Sequence, residues 1–264
     1  MIEQRLREAA NAASQSRVSM SDIRKRFGSV EALRGVDLEL YPGECVGLVG
    51  DNAAGKSTLT KILAGAYVPD SGTITIDGQI VAFRSPADAR RHKIEMVYQD
   101  LSLCDTIDVA GNLFLGREPT TYQFLKRQRM RDEAQAMLER LEIKIPNLDR
   151  LVAQLSGGQR QSIAICRAVA FNPDVLIMDE PTSALAVAEV EAVLKLINHI
   201  KAKGVSVVLI THRLQDLFRV CDRIVVMYEG LKVAERRTSA TNLQELVGLI
   251  VGEVGAYTAE AVSS

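Results

Sequence analysis

Lys56 and Ser57 close the run Gly50-Asp51-Asn52-Ala53-Ala54-Gly55-Lys56-Ser57, which fits the pattern GxxxxGK[ST]. A mostly apolar stretch, Glu44 to Val49, runs into it, and a helical stretch, Lys56 to Ala64, runs out of it. A loop at such a junction turns backbone N–H groups and the positive end of a helix dipole toward one point, which suits phosphate oxygens. Residues Gly50 to Thr58 are therefore the candidate phosphate cradle. Lys56 is expected to reach the β- and γ-phosphates of ATP, and the Ser57 hydroxyl to ligate Mg²⁺. Asp179 and Glu180 end a second apolar run, Val175-Leu-Ile-Met-Asp-Glu. A carboxylate at the carboxyl end of such a strand lies where open α/β sheets bind ligands, so Asp179 is the candidate Mg²⁺ holder. Glu180, one residue on, is placed to orient or deprotonate an attacking water. A strand merely capped by solvated charge is the plain alternative, and the phosphate loop upstream weakens it. Leu155-Ser156-Gly157-Gly158-Gln159, with a helix expected from Arg160 to Phe171, forms a second helix start suited to an anion.

The elements that hold these residues alternate. Two short strand-like stretches are expected from Val18, ending in Val36–Leu40, and strands at Glu44–Val49, Val175–Met178, Val205–Ile210 and Arg223–Met227, with an exposed hairpin strand at Gly72–Gly78. Helices are expected at Lys56–Ala64, Val187–Lys203, a short stretch after Ile210, and Leu243–Val251. The middle third, 101–171, reads as mainly helical: Met130, Ala134, Met137, Leu138 and Leu141 recur at helical spacing. Strands alternating with helices imply an α/β fold with a mostly parallel sheet covered on both faces. Residues 1–17 read as an extension, 18–252 as one domain and 253–264 as a tail.

Thirty-two basic residues against 33 acidic ones leave no basic footprint for nucleic acid. No apolar run approaches the roughly eighteen residues that span a bilayer, and the first seventeen residues lack the apolar core of a signal peptide. The expected location is thus cytosolic, with any membrane role supplied by a partner. Cys45, Cys104, Cys166 and Cys221 form no CxxC pair and read as structural.

The order of phosphate loop, LSGGQ and acidic strand resembles the ABC ATPase family, and the resemblance covers about Val18 to Gly252. It implies a P-loop NTPase with an antiparallel β subdomain and an inserted helical subdomain at about 101–171. By the same resemblance, Phe27 stacks on adenine, Gln99 senses Mg²⁺ and His212 touches the γ-phosphate; His92 and His199 match nothing and read as surface residues. Two copies are expected to pair head to tail, each ATP lying between the Gly50 loop of one and Ser156, Gly157, Gly158 and Gln159 of the other. Two departures stand out against this family: Ala53 where relatives usually carry glycine, and Ala186 where many carry aspartate. If position 53 needs positive φ, alanine there costs about 1–2 kcal/mol.

About a hundred residues separate Lys56 from Ser156, which leaves no room for the long coiled-coil insertions of DNA-maintenance relatives. A single set of motifs argues against a two-cassette translation factor, and Glu180 against a non-hydrolysing module. Gly72–Gly78, Ser85–Ala89, Met96–Leu103 and Asn112–Glu118 look like the monosaccharide importers of the ribose and fructose type. The resemblance implies membrane permease partners, a periplasmic or lipid-anchored sugar-binding protein acting indirectly, and a place on the cytoplasmic face of the cell membrane. Leu101, Leu103, Ile107, Leu113, Phe114 and Leu115 are expected to divide between the helical subdomain's own small core and an exposed apolar part that lines a groove for a short permease helix.

Overall fold

Cys45–Val49, Val175–Met178 and Val207–Ile210 are buried without interruption, the pattern of parallel strands covered on both faces. A computed structural model describes residues 15–251 apart from residue 123. In chain order the elements are β1 (Val18–Phe27), β2 (Val30–Leu40), β3 (Cys45–Gly50), α1 (Lys56–Leu63), β4 (Ser71–Ile76), β5 (Gln79–Val81), α2 (Pro86–Arg91) and β6 (Ile94–Val97). The middle region holds α3 (Val109–Phe114), the short strands β7 (Thr120–Thr121) and β8 (Phe124–Leu125), α4 (Arg127–Arg140) and α5 (Gly157–Val169). There follow β9 (Val175–Asp179), α6 (Val187–Ala202), β10 (Ser206–Ile210), α7 (Leu214–Val220), β11 (Arg223–Tyr228), β12 (Leu231–Arg237) and α8 (Leu243–Ile250).

The central sheet has six strands in the order β12-β11-β3-β10-β9-β6. Five run parallel, and β12 closes the edge antiparallel to β11. An antiparallel sheet of order β2-β1-β4-β5 forms a separate layer. Helix α1 lies between the two: Leu59, Ile62 and Leu63 share one apolar cluster with Val18, Met20 and Leu38 of the antiparallel sheet and Val46 and Leu48 of the central one. A second cluster on the opposite face joins Leu176, Met178, Val207 and Leu209 to Ile163 of α5 and Val193 and Ile197 of α6.

Several expectations need correction. The two short strand-like stretches expected from Val18 to Leu40 are the long strands β1 and β2, and β12 lies where none is expected; only Ala234 of β12 is buried, so an edge strand hides behind a polar sequence. The Gly72–Gly78 stretch is no exposed hairpin strand alone: Ile74 and Ile76 are buried where β4 pairs with β1. Helix α5 starts at Gly157, inside the LSGGQ motif, rather than at Arg160. Leu113 and Phe114 are 1% and 3% exposed, so both are core residues of the helical region, and Leu101 and Leu103 pack partly buried against the same core. Of the six apolar residues read as core or groove, Leu115 is exposed and Leu101, Leu103 and Ile107 are half-buried. Arg17, assigned to the extension, already joins the domain through its N–H to the Leu40 carbonyl (2.7 Å). Residues 1–14 of the extension and the tail from 253 lie outside the described residues.

Candidate functional site

Because β3, β10, β9 and β6 are parallel neighbours, their carboxyl ends share one edge of the sheet. That edge collects the Gly50 loop after β3, Asp179 and Glu180 at the end of β9, His212 just after β10 and Gln99 just after β6. Open α/β sheets bind ligands on this side.

The loop after β3 is finished for an anion. Gly55 caps α1 at φ +96°, with no side-chain hydrogen bond on the helix start, so its first N–H groups face outward. A Cβ at Gly55 would lie 2.6 Å from the Ala32 carbonyl oxygen, so only glycine fits. Ala53 does stand at positive φ, +68°, as its departure from glycine put at issue. Lys56 Nζ donates to the carbonyls of Gly50 and Asp51, each at 2.8 Å, and so spans the loop. Burial lowers the Lys56 ammonium below its ordinary range, while Glu180, Asp51 and Asp179 pull it back.

At the acidic corner, burial and then the Glu180 charge hold the Asp179 carboxyl above the usual carboxylate range, against Lys61 and Lys56. Glu180 has φ +53°, a conformation that costs a non-glycine residue about 1–3 kcal/mol and clusters at functional sites. Its N–H is anchored to the Ile210 carbonyl at 2.9 Å. His212 Nδ1 lies 2.7 Å from Glu180 Oε2, yet the pair is not aligned as a hydrogen bond, and Oε2 is buried without a partner. A buried carboxylate oxygen in that condition calls for a donor such as water. His212 itself is well exposed, facing the edge where a ligand would lie.

Three residues that the sequence did not single out brace this corner. Thr182 Oγ1 donates to Asp216 Oδ2 (2.8 Å), with both residues buried; Arg213 donates to the Thr182 carbonyl (3.2 Å) and pairs with Asp216. The bond ties the loop after Glu180 to the helix after His212. A carboxylate in the first turn of α7 is the sole hint of it in the sequence. Gln99 is exposed and its side chain makes no hydrogen bond among the described residues. The segment just after it is fixed by Arg167 of α5, which donates to the carbonyls of Leu101 (2.8 Å) and Ser102 (2.9 Å). Phe27 is 43% exposed at the end of β1, edge-to-face with Tyr67 at 5.3 Å and with Lys25 Nζ 5.5 Å from its ring centre.

The other helix start is finished differently. Ser156 caps α5 with a full capping box: its Oγ accepts from Gln159 N–H, and Gln159 Oε1 accepts from Ser156 N–H. Ser156 Oγ also donates to Glu189 Oε1 (2.8 Å), which accepts from Gly158 N–H as well (3.0 Å). Glu189 Oε2 accepts from Ala186 N–H (3.2 Å). Alanine at 186 has no acceptor to return, so only half a capping box forms on α6.

No group of three or more His, Cys, Asp or Glu side chains with metal-binding spacing occurs among the described residues. One carboxylate (Asp179), one hydroxyl (Ser57) and one amide oxygen (Gln99) suit a hard cation whose remaining oxygens come from phosphate and water. No described helix is long and apolar enough to cross a membrane.

Comparison with known proteins matches residues 33–183 to the model of the ABC transporter family. The xylose/arabinose import ATP-binding protein of Sulfolobus acidocaldarius is 44% identical, over 87% of this chain and 91% of that protein. The fructose import ATP-binding protein of Rhizobium meliloti is 41% identical, over 86% and 91%. The ribose import ATP-binding protein of Geobacillus kaustophilus is 41% identical over 89% of this chain, which spans 48% of that longer relative. Among solved structures, a nucleotide-free ATP-binding cassette from an ABC transporter aligns with TM-score 0.76 and 27% identity, covering 90% of this chain and 96% of that one. A dimeric cassette in a post-hydrolysis state bound to ADP and phosphate aligns with TM-score 0.71 and 27% identity, over 84% and 98%.

Proposed function

The chain belongs to the ABC transporter family, and from that premise we propose that it hydrolyses ATP to energise import of a sugar, in the monosaccharide range, through a separate membrane permease. The gathering of the Gly50 loop, Asp179, Glu180 and His212 at one sheet edge carries the ATPase reading. The names of its xylose/arabinose, fructose and ribose import relatives support the sugar.

In this reading the first N–H groups of α1 and Lys56 bind the β- and γ-phosphates, while Phe27 offers its exposed ring to the adenine. Ser57, Asp179 and Gln99 would hold Mg²⁺, which neutralises phosphate charge. Glu180 Oε2, buried and unpartnered, orients the attacking water and accepts its proton. Oxygen attacks the γ-phosphorus as the bond to the β-phosphate oxygen breaks, and ADP leaves with that electron pair. His212, beside Glu180, faces the same phosphate and takes part of the developing charge. The Thr182–Asp216 bond keeps the two from drifting apart. A second copy, facing head to tail, supplies Ser156, Gly157, Gly158 and Gln159 to the nucleotide; the dimeric cassettes among the solved structures support the pairing itself. The permease would keep the chain at the cytoplasmic face of the membrane.

Glu180→Gln tests the chemistry. Turnover, read as phosphate release, should fall by about 10³-fold or more, while nucleotide affinity stays near that of the parent. Near-normal hydrolysis would remove Glu180 from the role.

A further inference from the structure

Glu189 sits 33 positions from Ser156 in the chain, yet its carboxylate occupies the start of α5. Oε1 takes the Ser156 hydroxyl at 2.8 Å and the Gly158 N–H at 3.0 Å, the two donors that a phosphate oxygen of a partner's ATP would use. The fit depends on the glycine: a Cβ at position 158 would stand 2.7 Å from both Cβ and Cγ of Glu189. Those two bonds, with the Ala186 N–H behind them, hold the Glu189 carboxyl below its ordinary range, so the group is anionic at neutral pH. Glu189 thus makes on this helix start the contacts that an anionic ligand makes on a bare one. A carboxylate and a phosphate cannot share two donors, because like charges at that separation repel and each donor has one hydrogen to give.

We propose that Glu189 is an internal counter-ligand of the LSGGQ loop: it blocks the loop in the single protomer and must swing out before the loop can engage the ATP of a second copy. The proposal rests on the reading that Ser156 and Gly158 meet the partner's nucleotide. A cavity of about 450 Å³ beside the contact, lined in part by Lys144 and Lys195, gives the displaced side chain room near positive charge. ATP must therefore displace an anion as well as bring two protomers together, and each dimer contains two such locks. The lock raises the ATP concentration at which dimers form, in the manner of any ligand that binds only a minor conformer. It also keeps the donors of an isolated protomer from engaging stray anions.

The test follows ATP-driven dimerisation by sedimentation in a Glu180→Gln background, which holds the nucleotide unhydrolysed. Glu189→Ala should lower the ATP concentration for half-dimerisation roughly tenfold, the scale of hydrogen bonds to a charged group. Glu189→Gln should fall between that variant and the parent, since an amide oxygen still accepts but carries no charge. A residue that served only to cap α6 would act oppositely: removing it would loosen the dimer face and raise the ATP requirement. Half-dimerisation at the parent's ATP concentration or higher in folded Glu189→Ala overturns the proposal, and if that variant does not fold, Glu189→Gln decides on the same terms. A parent that stays monomeric at saturating ATP would instead bring down the two-copy reading, and this proposal with it.

Discussion

Helix α1 begins on bare backbone with a glycine cap, whereas helix α5 begins on a closed set of side-chain oxygens from Ser156, Gln159 and Glu189. Both starts have the dipole and the outward N–H groups that suit phosphate. At the first, Lys56 is tethered only to the loop's own carbonyls, contacts that a nucleotide can replace without exposing a buried group. At the second, an incoming anion meets one already in place. On the proposed reading, α1 is poised for the chain's own nucleotide, and α5 is held shut until something competes for it. The sequence gives both starts the same glycine-rich look, and the difference arises from a residue on another helix.

The largest expected effect separates the two starts. Lys56→Ala should weaken ATP binding by a single protomer by about 10- to 100-fold, because it deletes a charge-assisted contact to phosphate. Ser156→Arg should leave that protomer's affinity unchanged and still stop turnover, since α5 serves the other copy's nucleotide. Titration calorimetry paired with phosphate release checks both, and equal losses of affinity in the two variants would erase the distinction.

A smaller effect concerns how the α1 side of the site is braced. Thr182→Val strips the buried Asp216 oxygen of its hydroxyl donor and should cost about 1–3 kcal/mol in thermal or chemical unfolding. It should also lower turnover while leaving nucleotide affinity intact, because Glu180 and His212 lose their shared anchor. The smallest effect is at Ala53, whose φ of +68° strains the loop around the open start. Ala53→Gly should raise stability by about 0.5–1 kcal/mol, the relief of a left-handed alanine less the added freedom of the unfolded chain. A fall in melting temperature would show that the alanine is not strained.

Legibility followed the range of the interactions. The central strands were readable because burial on both faces leaves unbroken apolar runs, as at Val175–Met178, and the catalytic-edge motifs because each is contiguous in sequence. β12 escaped because an edge strand with one buried residue, Ala234, looks like a charged loop. Leu113 and Phe114 were read as partly exposed although Asp108, whose side chain caps α3 on Gly111 N–H, starts a helix that turns Val109, Ala110, Leu113 and Phe114 to the same core. The Thr182–Asp216 tie and the Glu189 contact join residues 34 and 33 positions apart, and no local pattern announces either.

One measurement bears most directly on the claim that each nucleotide is shared between an open start and a borrowed one. Lys56→Ala and Ser156→Arg proteins, each inactive alone, are mixed and assayed for phosphate release. In a head-to-tail pair the mixture contains dimers in which one site joins an intact Gly50 loop to an intact LSGGQ loop, so activity should return on mixing. A mixture as inactive as its components would contradict the account: no site would then join the Gly50 loop of one copy to the LSGGQ loop of the other.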